Sequence, residues 1–238
     1  MRKLALLFSL PVLAHATCAI AVWTPERIVL GADSQETVLN PDRGKSSFEA
    51  CKIRQIGAFY VIISGITEHR RTGFNVWGIL SESVRGTDSV LDAGEKGAAE
   101  IARRYADVLQ SARETGANAY LRGLRSNAPA FAIAGFSRGA PYLVHYRYDF
   151  VRNRWIWRKD IFARSSGDRM GLAYLCDPRG VQRYKRSHPG WRTEDPAKTV
   201  SGMIAETSRI DPTEVGGATS VMVMEKSGAR WVNPGMCR

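Results

Sequence analysis

Apolar positions in this chain fall first into short continuous runs, then into helical spacing, and then into runs again. Residues 17–23 form a mostly apolar run that predicts a strand, residues 24–27 a turn, and residues 28–32 the partner strand of a hairpin, with Asp33 at its end. The polar stretch with glycine and proline through Lys45 reads as a loop. Two more strands are predicted at residues 52–56 and 59–64, split by the Gly57-Ala58 turn. Beyond Gly65 the spacing turns helical. Phe74, Val76, Trp77 and Leu80 supply one buried face to a helix within residues 67–84, and residues 90–113 predict a longer amphipathic helix.

Residues 123–127 separate these helices from strands at residues 131–135 and 142–146. Trp155, Trp157 and Phe162 continue a sheet-like second half, where their expected role is packing between sheet and helix. Residues 166–176 read as a helix that Pro178 must end nearby. Residues 196–208 open with a proline suited to a first helical turn and turn Val200, Met203 and Ile204 inward. Strands return at residues 219–224 and 230–232. This order predicts an α+β fold in which helices cover an antiparallel sheet sandwich, with no internal duplication or long linker to call for a second domain.

The N-terminus carries a different signal. Arg2 and Lys3 precede the mostly apolar residues 4–13, and Ala14, His15 and Ala16 offer the small residues that a signal peptidase reads at its cut site. The expected organisation is a signal peptide at residues 1–16 and one domain at residues 17–238, exported to the periplasm or secreted. No stable membrane span is expected after that cut, because no other stretch reaches the roughly 20 apolar residues that cross a bilayer. Cleavage makes Thr17 the new N-terminus. A threonine with a free amine beside its own hydroxyl carries both a nucleophile and a candidate base.

Charge and cysteines narrow the picture. Lys and Arg number 34 against 23 Asp and Glu, a formal charge of +11 that becomes +9 when Arg2 and Lys3 leave with the leader. That balance permits attraction to anionic envelope surfaces or polymers. The basic residues lie in short dispersed groups without a nucleic-acid motif, so specific nucleic-acid binding is not expected. His15, His69, His145 and His188 lack the compact spacing of a metal site, and neither a metal nor another cofactor is expected. Cys18, Cys51, Cys176 and Cys237 allow three complete pairings in an oxidising compartment, or four free buried thiols.

Several segments match a known family in order. Thr17-Cys18-Ala19-Ile20-Ala21-Val22 and Ile28-Val29-Leu30-Gly31-Ala32-Asp33-Ser34 come first, then Cys51-Lys52-Ile53 and Ile62-Ile63-Ser64-Gly65. Ile133-Ala134-Gly135-Phe136, Ser166-Gly167 and Val215-Gly216-Gly217-Ala218-Thr219-Ser220 extend the match nearly to the C-terminus. This ordered set resembles the proteasome-type N-terminal nucleophile (Ntn) hydrolases, including the bacterial proteasome-like threonine proteases. The resemblance implies a four-layer αββα sandwich with antiparallel sheets.

It also implies a catalytic set of Thr17, Asp33, Lys52, Gly65, Ser166 and Asp211. Thr17 would attack a carbonyl, with its α-amine as base; an N-terminal ammonium ordinarily titrates at about 7.7 to 8.0, near working pH. Lys52 would favour the deprotonated hydroxyl and Asp33 would hold Lys52. Lys45, the nearby alternative, lacks the apolar strand that follows Lys52. Gly65 would aim a backbone N–H at the developing oxyanion, and Ser166 would support the nucleophile. The chain departs from the family pattern at Asp168, where many members have glycine, and at Val215, where they have serine. The supporting aspartate's strict offset falls on Pro212, and Asp211 fills the role through a one-residue loop shift.

Cys18 is a competing N-terminal nucleophile, although the Ala14, His15 and Ala16 signal fits cleavage before Thr17 better. Strand alternation turns Cys18 and Cys51 away from the site, and the family's strand arrangement would pair Cys18 with Cys51 and leave Cys176 for Cys237. The leading functional expectation is an exported threonine amidohydrolase, a peptidase acting through an acyl-enzyme on peptide or other amide substrates. A small-molecule amidase or acylase and a non-catalytic binding or structural protein are the alternatives. Self-association is also implied, since family members often build rings.

Overall fold

The computed structural model describes residues 12–15, 18–40, 44–114, 118–151, 154–164 and 169–237. The chain begins with β1 (Val12–His15), β2 (Ala19–Trp23), β3 (Arg27–Asp33), β4 (Gln35–Asn40), β5 (Gly44–Glu49), β6 (Ile53–Ile56) and β7 (Phe59–His69). After a 3-10 turn at Arg70–Thr72, β8 (Phe74–Asn75) leads into α1 (Val76–Ser83), α2 (Val90–Glu114) and α3 (Asn118–Ser126). Next come β9 (Ala130–Ser137), β10 (Ala140–Val151), β11 (Arg154–Ala163) and β12 (Gly171–Leu175). The chain ends with α4 (Pro178–Ser187), α5 (Pro196–Ile210), β13 (Thr219–Glu225) and β14 (Gly228–Asn233).

Among the described residues this is a mixed α/β architecture with two sheets. The smaller has the order β12-β2-β3-β13-β14. The larger runs β11-β10-β9-β7-β1-β4-β5, with β6 and β8 also paired to β7. Each of these pairings is antiparallel.

Continuous apolar runs explain the central strands. All five residues of β2 are buried, so both of its faces must be covered, which a run such as Ala19-Ile20-Ala21-Val22-Trp23 satisfies. One face contributes Ala19, Ala21 and Trp23 to an apolar cluster shared with Ile62, Ala132 and Leu143 of the larger sheet. Trp23 adds a polar tie, donating its Nε1–H to the Pro141 carbonyl at 2.8 Å. The opposite face contributes Cys18, Ile20 and Val22 to a second cluster with Val181 of α4 and Val200, Met203 and Ile204 of α5. A third cluster joins Val61 and Ile63 of β7 to Leu80 of α1 and Ile101 and Tyr105 of α2.

Helix starts follow their caps. Asp177 accepts from the Arg179 N–H at 2.8 Å with Pro178 in the first turn of α4, and Asp195 does the same for Ala197 and Lys198 ahead of Pro196 in α5. Glu206, 8% exposed, pairs with Arg183 and Arg209 and so fastens α4 to α5.

Three segments differ from the sequence reading. The polar stretch through Lys45 is largely the β4–β5 hairpin, with main-chain pairing from Gln35↔Glu49 to Asn40↔Gly44. The strand that begins at Phe59 runs past Gly65 to His69, because Gly65–His69 has β1 beside it and Glu68–His69 has β8, so the helix starts only at Val76 behind its Asn75 cap. Gly171–Leu175 is a strand, with burial alternating along it, where a helix was expected. Pro178 starts the following helix and does not end a preceding one.

Candidate functional site

The end of β3 and the start of β6 bring Asp33 and Lys52 together. Lys52 Nζ lies 3.0 Å from Asp33 Oδ1, and the two side chains are 0% and 1% exposed. Three main-chain groups bind the pair. Cys18 N–H donates to Asp33 Oδ1 at 2.9 Å, Gly216 N–H donates to Oδ2 at 3.0 Å, and Lys52 also donates to the Gln35 carbonyl. Antiparallel pairing fixes the first of these bonds, since Asp33 N–H donates to the Cys18 carbonyl at 3.1 Å. Cys18, whose N–H binds the Asp33 carboxylate, directly follows Thr17 in sequence.

Burial works against both charges. It pushes Lys52 below the ordinary lysine range, opposed by the attraction of Asp33. It pushes Asp33 upward, opposed first by Lys52 and then by the backbone N–H of Gly216. A buried lysine with a lowered proton affinity and a fixed carboxylate is suited to stabilising an adjacent oxyanion or hydroxyl anion.

Gly65 lies on the neighbouring sheet with φ +78°, and an added Cβ would overlap the Ala128 carbonyl oxygen and approach that of Asn127 at 2.8 Å. The loop after α3 thus needs a bare backbone here, and Ile66 N–H donating to the Asn127 carbonyl at 2.9 Å holds the two together. Gly65 also lines a cleft of ≈ 580 Å³ together with Asn127, His145, Arg147, Cys176 and Asp211.

Asp211 caps the C-terminal end of α5. Its carboxylate accepts from Thr213 Oγ1 at 3.0 Å, and its carbonyl accepts from Val215 N–H at 3.0 Å, closing the turn that delivers Gly216 to Asp33. Its link to the buried pair runs through this turn. Val215 is 4% exposed and packs into the α4–α5 cluster, so a side chain at this position faces apolar surroundings. Thr17 and Ser166 lie outside the described residues, as does Asp168.

Partners that the sequence did not single out complete the arrangement. Ser34 donates to Glu49 Oε1 at 3.2 Å and accepts from Ala218 N–H at 2.8 Å, while Gln35 N–H donates to the Gly216 carbonyl at 3.1 Å. Gly217, at φ +71°, would overlap Ser34 Oγ if it carried a Cβ, which accounts for the glycine pair. The adjacency of Ser34 to Asp33 was the available clue; the cleft residues His145 and Arg147 had none.

The expected cysteine pairing is corrected. Cys51 is bonded to Cys237, and Cys18 and Cys176 are free. Cys18 faces α4 and α5, whereas Cys51 and Cys237 belong to the cluster between β2–β3 and the larger sheet. A strand separates the two proposed partners.

Among the described residues, no group of three His, Cys, Asp or Glu is placed to hold a metal ion, and no helix is long and apolar enough to cross a membrane. Compared with models of protein families and with the sequences of curated proteins, the chain matches none.

Proposed function

We propose that this chain is an exported proteasome-type Ntn hydrolase, a threonine amidohydrolase that cleaves peptides through an acyl-enzyme. The observation that carries this reading is the fully buried Lys52–Asp33 pair whose carboxylate also binds the N–H of Cys18, the residue following Thr17. Three apolar clusters, two involving helices and one shared by the sheets, support the four-layer αββα arrangement of that family.

In this mechanism, cutting before Thr17 frees its α-amine. The amine takes the Thr17 hydroxyl proton as the oxygen attacks the carbonyl, and Lys52 stabilises the developing alkoxide. The tetrahedral oxyanion receives the Gly65 N–H. Collapse passes the proton to the leaving nitrogen and leaves an ester on Thr17, which water hydrolyses to restore the free hydroxyl. Asp33 holds Lys52 in place, while Ser166 and Asp211 support the nucleophile and its surroundings.

Strand β1 favours a peptide over a small amide. It pairs with β7 through His15↔Gly65 and with β4 through Ala14↔Thr37, so an extended segment N-terminal to the proposed cut lies between two strands, as the acyl side of a peptide substrate would. The non-catalytic reading draws on one observation, the apolar packing of Val215 where the family carries a hydroxyl.

The deciding experiment takes protein from an exporting host, determines its mass and N-terminal sequence, and maps the adduct of an electrophilic N-terminal-threonine probe. A chain beginning at Thr17 and labelled there, with labelling lost in Thr17→Ala, is the expected result. An uncut chain, or a cut chain that the probe leaves unmodified, overturns the proposal.

A further inference from the structure

The disulfide between Cys51 and Cys237 leaves Cys18 and Cys176, and these two meet across neighbouring strands. β12 and β2 pair from Gly171↔Trp23 to Leu175↔Ala19, so the next step of the same antiparallel register sets Cys176 opposite Cys18. Both pack into one apolar cluster beside α4 and α5. Opposed residues in antiparallel strands have Cα atoms about 4.5 to 5.5 Å apart, within the about 4.4 to 6.8 Å that a disulfide spans. The two differ in access. Cys18 is buried, while Cys176 is half-buried and lines the cleft that contains Gly65 and Asp211.

We propose that Cys18 and Cys176 form a cross-strand dithiol that a small-molecule disulfide converts into a second, reversible protein disulfide. Cys176, open to the cleft, gives up its proton and attacks one sulfur of the small disulfide, releasing one thiol and leaving a mixed disulfide on Cys176. Cys18 then gives up its proton and attacks the Cys176 sulfur, expelling the second small thiol. The protein has lost two protons and two electrons, and the oxidant has become two thiols. Burial pushes the Cys18 thiol well above the ordinary range, so its attack draws on a small thiolate fraction held beside the Cys176 sulfur.

The new bond would fasten the first residue after Thr17 to the cleft wall. Cys18 already holds Asp33 through its N–H, so its tether bears on the buried pair as well. The inference stands on register and packing and is independent of the proposed hydrolase activity. Export would add an oxidising setting in which the bridged form persists.

The test exposes the full chain, with Cys51–Cys237 intact, to glutathione disulfide under native conditions. Free thiols are then alkylated in denaturant and unreduced peptides are mapped. The expected outcome is a linked Cys18–Cys176 fragment, loss of alkylation at both positions, and recovery of both thiols with a thiol reductant. Cys176→Ala, which spares the buried cysteine, is expected to keep Cys18 fully alkylated after the same treatment. A mixed glutathione adduct that persists on Cys176, full alkylation of both cysteines, or a link from Cys18 to Cys51 would each overturn the proposal.

Discussion

Replacing Lys52 with methionine removes the ammonium while keeping an unbranched chain in its fully buried position. Asp33 is left with N–H donors from Cys18 and Gly216 but without its cation. Breaking a buried pair from one side costs about 3 to 5 kcal/mol, and the two remaining donors place this case at the lower end, about 3 kcal/mol at neutral pH. For a domain of this size that is a fall in Tm of about 6 to 12 °C. The deficit also has a direction with pH. Without Lys52 the folded state holds Asp33 further above its unfolded proton affinity, so acidification from neutral toward about pH 5 protonates the folded carboxyl first and shrinks the difference from the parent. Urea unfolding followed by tryptophan fluorescence at both pH values reads the effect, with the exposed Lys198→Met as control. A Lys52→Met deficit within about 0.5 kcal/mol of that control, or one that does not shrink on acidification, refutes the reasoning.

Three further outcomes are expected. Gly65→Ala must move the Asn127–Ala128 backbone or abandon φ +78°, and should cost at least about 2 kcal/mol by the same unfolding assay. Burial, opposed by Asp160, holds His145 at about 4, below its ordinary 6.5. Unfolding therefore takes up a proton between those values. The stability from neutral His145 is complete above pH 6.5 and drains toward pH 4, by up to about 3 kcal/mol, and His145→Gln should flatten that slope in a urea series. Changing both Cys51 and Cys237 to serine opens a link between residues 186 apart and should lower stability by about 2 to 5 kcal/mol in non-reducing urea titrations.

The elements legible in sequence were those with a covered face. β2 and β3 showed as apolar runs, and α2 and α5 as amphipathic periods. The β4–β5 hairpin was not legible, since Gln35-Glu36-Thr37 and Ser46-Ser47 present polar side chains and the pairing is carried by main chain. β12 was hidden by Pro178, whose missing N–H suits a helix start as well as a stop, and Asp177 was the cue that decides between them. At the site, Asp33 and Lys52 were visible through the family resemblance alone. Nothing in spacing shows that the N–H of Gly216 would reach Asp33 from a turn far along the chain. Alternation turned Cys18 and Cys51 alike away from the site, yet the two lie in different clusters, and it could not reveal that the C-terminal segment returns Cys237 to Cys51.

Strand β1 would give the proposed leader a mechanical part in the folded chain. Among the described residues, β5 pairs only with β4, and β4 reaches the rest of the larger sheet only through β1. A chain that has released residues 1–16 therefore keeps the base of the β4–β5 hairpin but loses the strand that joins it to the rest of the larger sheet. That base is fastened where Ala50 N–H meets the Ser34 carbonyl and where Gln35 is held by Gly216 and Lys52. Loss of residues 1–16 would thus turn a sheet margin into a hinged flap, its pivot resting on the same lysine that Asp33 anchors.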